Sequence, residues 1–211
     1  MCTLSARHRM TLRDRQAEHA RRLIVSAAID LFLEKGYVAT TMDEIAARAA
    51  VARRTIYNQF GSKAAVLIAA INDRVVGAEE RSQASDQRAV GEFDQPDQII
   101  DAFIRAHVGV AKRSLPILKV TYEAAAVDEE VAREYERNEE KRYQAQQLLI
   151  QILDAKGLLR TDVPVDYLKR GFWLLAGPSM LIAATGAGWD IDTYARWLAD
   201  TVTGLLIAPQ A

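Results

Sequence analysis

The chain has 211 residues, half of them hydrophobic and 26% charged, with a formal net charge of −1. That length can bury a core without disulfide or metal staples, and the composition is that of a globular protein, neither disordered nor fibrous. The single cysteine, Cys2, has no partner, which excludes a disulfide framework and a thiolate metal site and makes a reducing cytoplasm the expected compartment.

The charge is unevenly spread. Residues 1–63 hold 11 Lys and Arg against 6 Asp and Glu, a balance of +5, whereas residues 64–211 hold 16 against 22, a balance of −6. The two parts are therefore expected to face different partners. The first stretch, MCTLSARHRMTLRDRQ, is basic but lacks the apolar run of a secretory signal. Its Arg7, Arg9, Arg13 and Arg15 read as a disordered arm over residues 1–16, useful for phosphate attraction or simply a solvated terminus.

Ala20, Leu23, Ile24, Ala27, Ala28, Leu31 and Phe32 recur at helical spacing, predicting a long amphipathic helix that Gly36 ends. Thr41 followed by Glu44 is a capping-box pattern that opens a short helix with Ile45, Ala46 and Ala49 facing inward. After a break at Ala50 and Val51, a third short helix buries Ile56 and Phe60, and Gly61-Ser62 stops it and caps a fourth helix from Lys63. The polar tract QASDQRAVGEFDQPDQ reads as a loop. Helical patterns follow at 97–113, 117–126, 128–156, 165–184 and 191–207, with breaks at Pro116, Lys156-Gly157, Pro164 and Gly186–Trp189. Strand-period alternation is not sustained anywhere, so the fold class is all-α, with a head at 17–63 and a larger bundle at 64–211. The segment Gly171–Trp189 runs 19 residues without a charge, but its four glycines and a proline favour a buried helix over a membrane span.

Two short helices joined by a tight turn, the second bearing polar side chains, match the helix-turn-helix arrangement that places its second helix in the DNA major groove. With roughly 100° between successive helical residues, Arg54 and Asn58 lie opposite Ile56, flanked by Thr55 and Tyr57. Arginine can make a bidentate contact to guanine, asparagine to adenine, and threonine can meet a base edge or a thymine methyl. Thr40, Tyr57 and Lys63 suit phosphates, with Arg53 at the edge of the face. Duller readings stand beside these: Thr41 is a cap as well as a phosphate neighbour, Tyr57 could be a packing residue, and Arg53 a solvated one.

The stretch GYVATTMDEIAARAAVARRTIYNQFGSKAAVL, with the helix before it, resembles the DNA-binding signature of the tetracycline-repressor (TetR) family of bacterial regulators over roughly residues 17–67. The glycine-aromatic pair, Thr40-Thr41, Ile45-Ala46, Tyr57 and Phe60-Gly61-Ser62-Lys63 occur in order at family spacing. The resemblance implies a homodimeric repressor on a palindromic double-stranded operator, with a variable C-terminal domain that binds a small effector. Three positions depart from the pattern: Ala50 stands where the family has a turn glycine, Ala52 where it has a capping Ser or Thr, and Gln59 where it commonly has His.

Catalysis is the competing class, alongside a simple protein-interaction module. The histidines His8, His19 and His107 are scattered, and there is no Gly-rich phosphate loop or His/Glu pair at metal spacing, so neither an enzyme nor a cofactor is expected. In the C-terminal bundle Phe103, His107, Tyr122, Trp173 and Met180 have the apolar-with-polar mix of a pocket for a hydrophobic effector, each with an alternative reading as core; His107 could serve an effector or a backbone carbonyl. Helices 165–184 and 191–207 are apolar around most of their circumference. They are expected to form a four-helix dimer interface through Tyr194, Leu198, Val202 and Leu205, with Gly177, Ala183 and Ala184 allowing close approach.

Overall fold

The computed structural model describes residues 11–74 and 93–208. Arg7, Arg9 and most of the expected loop lie outside them. The chain separates into two compact units, Met1–Ala70 and Ile71–Ala211, and among the described residues every regular element is a helix.

In the first unit α1 spans Leu12–Ala39. Its start corrects the expected arm: Thr11 and Asp14 form a capping box, so residues 12–16, including Arg13 and Arg15, are helical. Ile24, Ala28 and Phe32 are fully buried on its inner face. Gly36 interrupts the helix with φ 80° and ψ 170°, a conformation open to glycine and strained for other residues. The helices α2 (Met42–Arg48) and α3 (Arg53–Phe60) pack on α1 and on each other, with Ile45 and Ile56 at zero exposure. A bidentate Arg48–Glu34 pair at 2.9 and 3.0 Å also joins α2 to α1. The helix α4 begins at residue 63 and is described through 74, and the Ser62 hydroxyl accepts from the Ala65 amide at 3.0 Å.

The second unit contains α5 (Pro96–Ala125), α6 (Glu129–Ala155), α7 (Val165–Leu175), α8 (Pro178–Gly186) and α9 (Ile191–Leu206). Helix α5 packs against α6, α8 and α9, around Ile99, Ile100, Ile104, Leu149, Phe172 and Leu198. Two boundaries differ from the sequence reading. Pro116 does not break α5, because it sits on the exposed side, where the carbonyl of exposed Lys112, which loses its helical donor, can be hydrated. Conversely, 165–184 is not one helix: Pro178 forces Gly177 into extended backbone (φ −77°, ψ 153°) and starts α8. The uncharged segment is thereby divided, and among the described residues no helix is long and apolar enough to cross a membrane.

The break leaves carbonyls at the end of α7 without helical donors, and three other helices supply them. Arg142 Nη1 of α6 donates to Trp173 O, Tyr194 Oη of α9 to Leu175 O, and His107 Nε2 of α5 approaches Ala176 O, all at 2.9 Å. A carbonyl can only accept, so His107 carries its proton on Nε2. Burial pushes the His107 pKa down and the Tyr194 pKa up to about 12, keeping both neutral.

The expected dimer residues need correction. Tyr194, Leu198 and Val202 are 2%, 0% and 0% exposed within the single chain, taken up by its own core, and Leu205 is half-buried against Gly171. A Cβ on Gly171 would lie 3.1 Å from Leu205 Cδ2, so this glycine sets the α7–α9 spacing. Among the described residues from α7 onward, the large apolar groups left outside are Val165, Tyr167, Leu174 and Trp189. Accordingly Leu198→Ala should lower stability by about 2–5 kcal/mol. Urea unfolding followed by circular dichroism checks this; an altered monomer–dimer equilibrium with unchanged unfolding would assign Leu198 to an interface instead.

Candidate nucleic-acid interface

The turn between α2 and α3 has a specific geometry. The Val51 amide donates to Ala46 O at 3.0 Å and the Ala50 amide to Ala47 O at 3.2 Å, the two bonds of a Schellman C-cap. That motif needs a left-handed residue after the cap, and Ala50 fills the position with φ 53°. Among the described residues it is the only non-glycine at positive φ. Ala52 then begins α3 with no side-chain cap. The fold thus tolerates two local penalties, each on the order of 1 kcal/mol, at the turn that aims α3.

Opposite the fully buried Ile56, α3 presents Arg53, Arg54, Tyr57 and Asn58 exposed, with Thr55 half-buried. These five of the expected contacts share one outward surface. Gln59 lies off it: its Nε2 donates to Ala17 O at 3.2 Å and its Oε1 is buried, tying α3 to the start of α1. Arg21 covers the Phe60 ring at 4.8 Å and closes the same end.

Beside this surface lies an open depression of about 340 Å³ lined by Val38, Thr40, Thr41, Met42, Asp43, Arg53, Tyr57 and Lys63. Its rim carries Arg53, which reaches Asp43 at 2.9 Å and stands 5.5 Å from the Tyr57 ring centroid. The Tyr57 contact first, and then Asp43, raises the arginine's pKa. Both partners of the ion pair are more than half exposed, so water screens it and it contributes little stability.

Three expected phosphate contacts behave differently. Thr40 is fully buried, its hydroxyl donating to Gly36 O at 2.8 Å, so its side chain secures the α1–α2 corner and does not reach the surface. Thr41 is exposed but engaged in its capping box: it accepts from the Glu44 amide at 3.3 Å, and its own amide and hydroxyl donate to Glu44 Oε2 at 2.9 and 2.8 Å. Lys63 directs Nζ at Tyr37 O (2.8 Å), Thr40 O (2.9 Å) and Val38 O (3.4 Å), 4.3 Å from the Tyr37 ring centroid. An ammonium has three donors, so a phosphate on Lys63 must displace one of these carbonyls. The sequence reading missed Asp43, because nothing in the spacing from 43 to 53 announces an ion pair between helices.

In the second unit, the five expected effector residues are only partly gathered. Trp173 lies under Arg142 (5.0 Å) and edge-on to Tyr143 (6.4 Å), next to the carbonyls that hold His107 and Arg142. Phe103 meets Phe172 edge-on at 6.0 Å, and Met180 packs on the same core. Tyr122 is half exposed and pairs with Tyr135 at 6.1 Å. His107 takes the backbone-carbonyl alternative.

The family described as bacterial regulatory proteins, tetR family, matches residues 24–70, the segment that builds this turn and surface. The uncharacterised HTH-type transcriptional regulator YdeS of Bacillus subtilis (strain 168) is 32% identical over 152 residues, covering 71% of this chain and 72% of the relative. The chain belongs to the TetR family. It is therefore a transcriptional regulator with a DNA-binding helix-turn-helix, and not an enzyme. Solved structures share the fold: NalD, the secondary repressor of the MexAB-OprM multidrug efflux pump in Pseudomonas aeruginosa, has TM-score 0.67 at 23% identity over 90% of this chain and 98% of its own. The SmeT–triclosan complex has TM-score 0.68 at 19% identity over 90% and 92%.

Within this TetR head, Ala50→Gly and Ala52→Ser should each raise stability by about 1 kcal/mol, read from urea midpoints. Acid should act through Glu44. Lys35 first, and then the Thr41 cap, hold its carboxyl down at about 2 against an ordinary 4.5. A depressed folded pKa means its contribution is complete above 4.5 and fades as pH falls toward 2. A carbon-detected NMR titration of the Glu44 carboxyl should give that low midpoint, and an ordinary midpoint would refute the clamp.

Proposed function

We propose that this regulator is a cytoplasmic repressor that binds a palindromic operator as a homodimer and is released by a small, largely hydrophobic effector. The observation that carries the reading is the α3 surface: Arg54 and Asn58 point outward from fully buried Ile56, next to a depression edged by Arg53 and Tyr57. Arg54, Thr55 and Asn58 would meet base edges, while Arg53 and Tyr57 would hold the phosphate beside them. Lys63 and Thr41 would act mainly by fixing the corner that presents these groups.

The dimer would use the outer face of α7–α9, where Tyr167, Leu174 and Trp189 remain exposed. A two-fold axis there would set the two heads on half-sites about one helical turn apart or slightly more. The effector reading rests on the aromatic content of the bundle and on the fold shared with an efflux-pump repressor and a triclosan complex. Binding that favours a head spacing the operator cannot match would release DNA.

Two measurements test this. Arg54→Ala should weaken binding to a selected operator by about 1–3 kcal/mol with little change on random DNA; equal losses on both would reduce Arg54 to a phosphate contact. Leu174→Asp should leave the protomer folded yet lower both dimer content in sedimentation and operator affinity, and a dimer unaffected by it would move the interface elsewhere.

A further inference from the structure

On the core side of α6, Gln146 is 3% exposed, and among the described residues its Oε1 and Nε2 both lack a hydrogen-bond partner. A buried carboxamide left this way is disfavoured, and buried polar groups in folded proteins are normally paired. The position is not peripheral. Gln146 lies one turn before Leu149 and Ile150, which belong to the bundle core, and one turn after Arg142 and Tyr143, which hold Trp173. The indole Nε1 of Trp173 is likewise buried without a partner. Nearby polar groups are mostly committed: Arg142 to Trp173 O and Glu139, His107 to Ala176 O, Tyr194 to Leu175 O. The adjacent Gln147 donates its Nε2 to Tyr143 O, leaving only its Oε1 unpaired, so Gln146 is the side chain here with both a donor and an acceptor free.

We infer that Gln146 is the polar anchor of the effector site and that it selects a neutral ligand bearing an amide-like donor and acceptor on a flat apolar body. The inference deepens the effector reading and rests on it. A primary carboxamide or lactam presents N–H and C=O side by side and can meet the Gln146 amide in two parallel hydrogen bonds, while the apolar body lies among the core side chains. A formal charge would find no counter-charge, since Arg142 is paired with Glu139 at side-chain exposures of 15% and 19%. Trp173 Nε1 offers a further donor to the ligand carbonyl.

Isothermal titration of the protein with 2-naphthamide, 2-naphthoate and naphthalene tests this, on wild type and on Gln146→Leu. Leucine keeps the volume and removes the unpaired amide, so the variant should fold and melt at or above the wild-type temperature. The expected result is at least tenfold tighter binding of 2-naphthamide than of the other two by wild type, and loss of that preference in Gln146→Leu with naphthalene binding retained. Equal affinities, a preference that survives the substitution, or no binding of 2-naphthamide would overturn the proposal. Operator release is a separate readout. Amide-selective binding without release would sink the regulatory scheme and leave the anchor, whereas release by apolar compounds independent of Gln146 would do the reverse.

Discussion

The DNA-binding head depends on one ammonium group. Near its end α1 is interrupted at Gly36, and the chain turns again at Thr40 before α2; such a corner leaves carbonyls without helical donors. Lys63, from the start of α4, gathers Tyr37 O, Val38 O and Thr40 O onto its Nζ and leans on the Tyr37 ring. Charge-assisted hydrogen bonds to carbonyls are stronger than neutral ones, and three of them fix the corner from a point some twenty residues away in sequence. Thr40 adds its hydroxyl from inside. With the corner fixed, Thr41 is placed to cap α2, α2 is placed to end at Ala49, and the left-handed Ala50 sets the direction of α3. The reading surface lies at the end of this chain of dependencies.

Much of this was legible because the signals are local. The Thr41–Glu44 capping box, the Gly61-Ser62 stop and the burial of Ile56 opposite Arg54 and Asn58 follow from spacing within a few residues, and each appears as expected. The alanine at the turn was visible as an irregularity, and its φ of 53° shows that the geometry was kept and the strain accepted. What the sequence could not give was the use to which a polar group is put. Lys63 and Thr40 looked like phosphate ligands since lysine and threonine often are, but a donor's partner is set by carbonyls brought near only by the fold. The helical start at Thr11 was readable from Thr11 and Asp14, but the arginines around it are equally common in a solvated terminus.

In the second unit the helical segments were legible except at Pro116 and Pro178, and their faces were not. Periodicity shows that α9 is apolar on several sides without saying which side meets its own bundle and which is left over; the core claims Tyr194, Leu198 and Val202. Proline illustrates the same limit from another direction. Pro116 and Pro178 carry the same chemical restriction, yet one is absorbed on an exposed helical face and the other ends a helix, because Gly177 before it is free to extend and three side chains wait to receive the freed carbonyls. Gln146 had a readable signal, standing one turn before Leu149 and Ile150 on the apolar stripe, but polar character in such a position is easily assigned to the surface.

The Asp43–Arg53 pair gives the head an internal counterion. On free protein surfaces a cationic contact is balanced by mobile ions, and docking onto DNA liberates about 0.9 condensed cation from the duplex for each phosphate neutralised. Arg53 arrives already balanced by a carboxylate 2.9 Å away. Were a phosphate to take the guanidinium, as proposed for Arg53, the Asp43 carboxylate would be left beside the anionic backbone and would have to recruit a cation of its own or turn outward. Part of the ion release at this contact would thereby be returned, and the head's attraction for DNA would be less sensitive to ionic strength than its count of exposed arginines suggests.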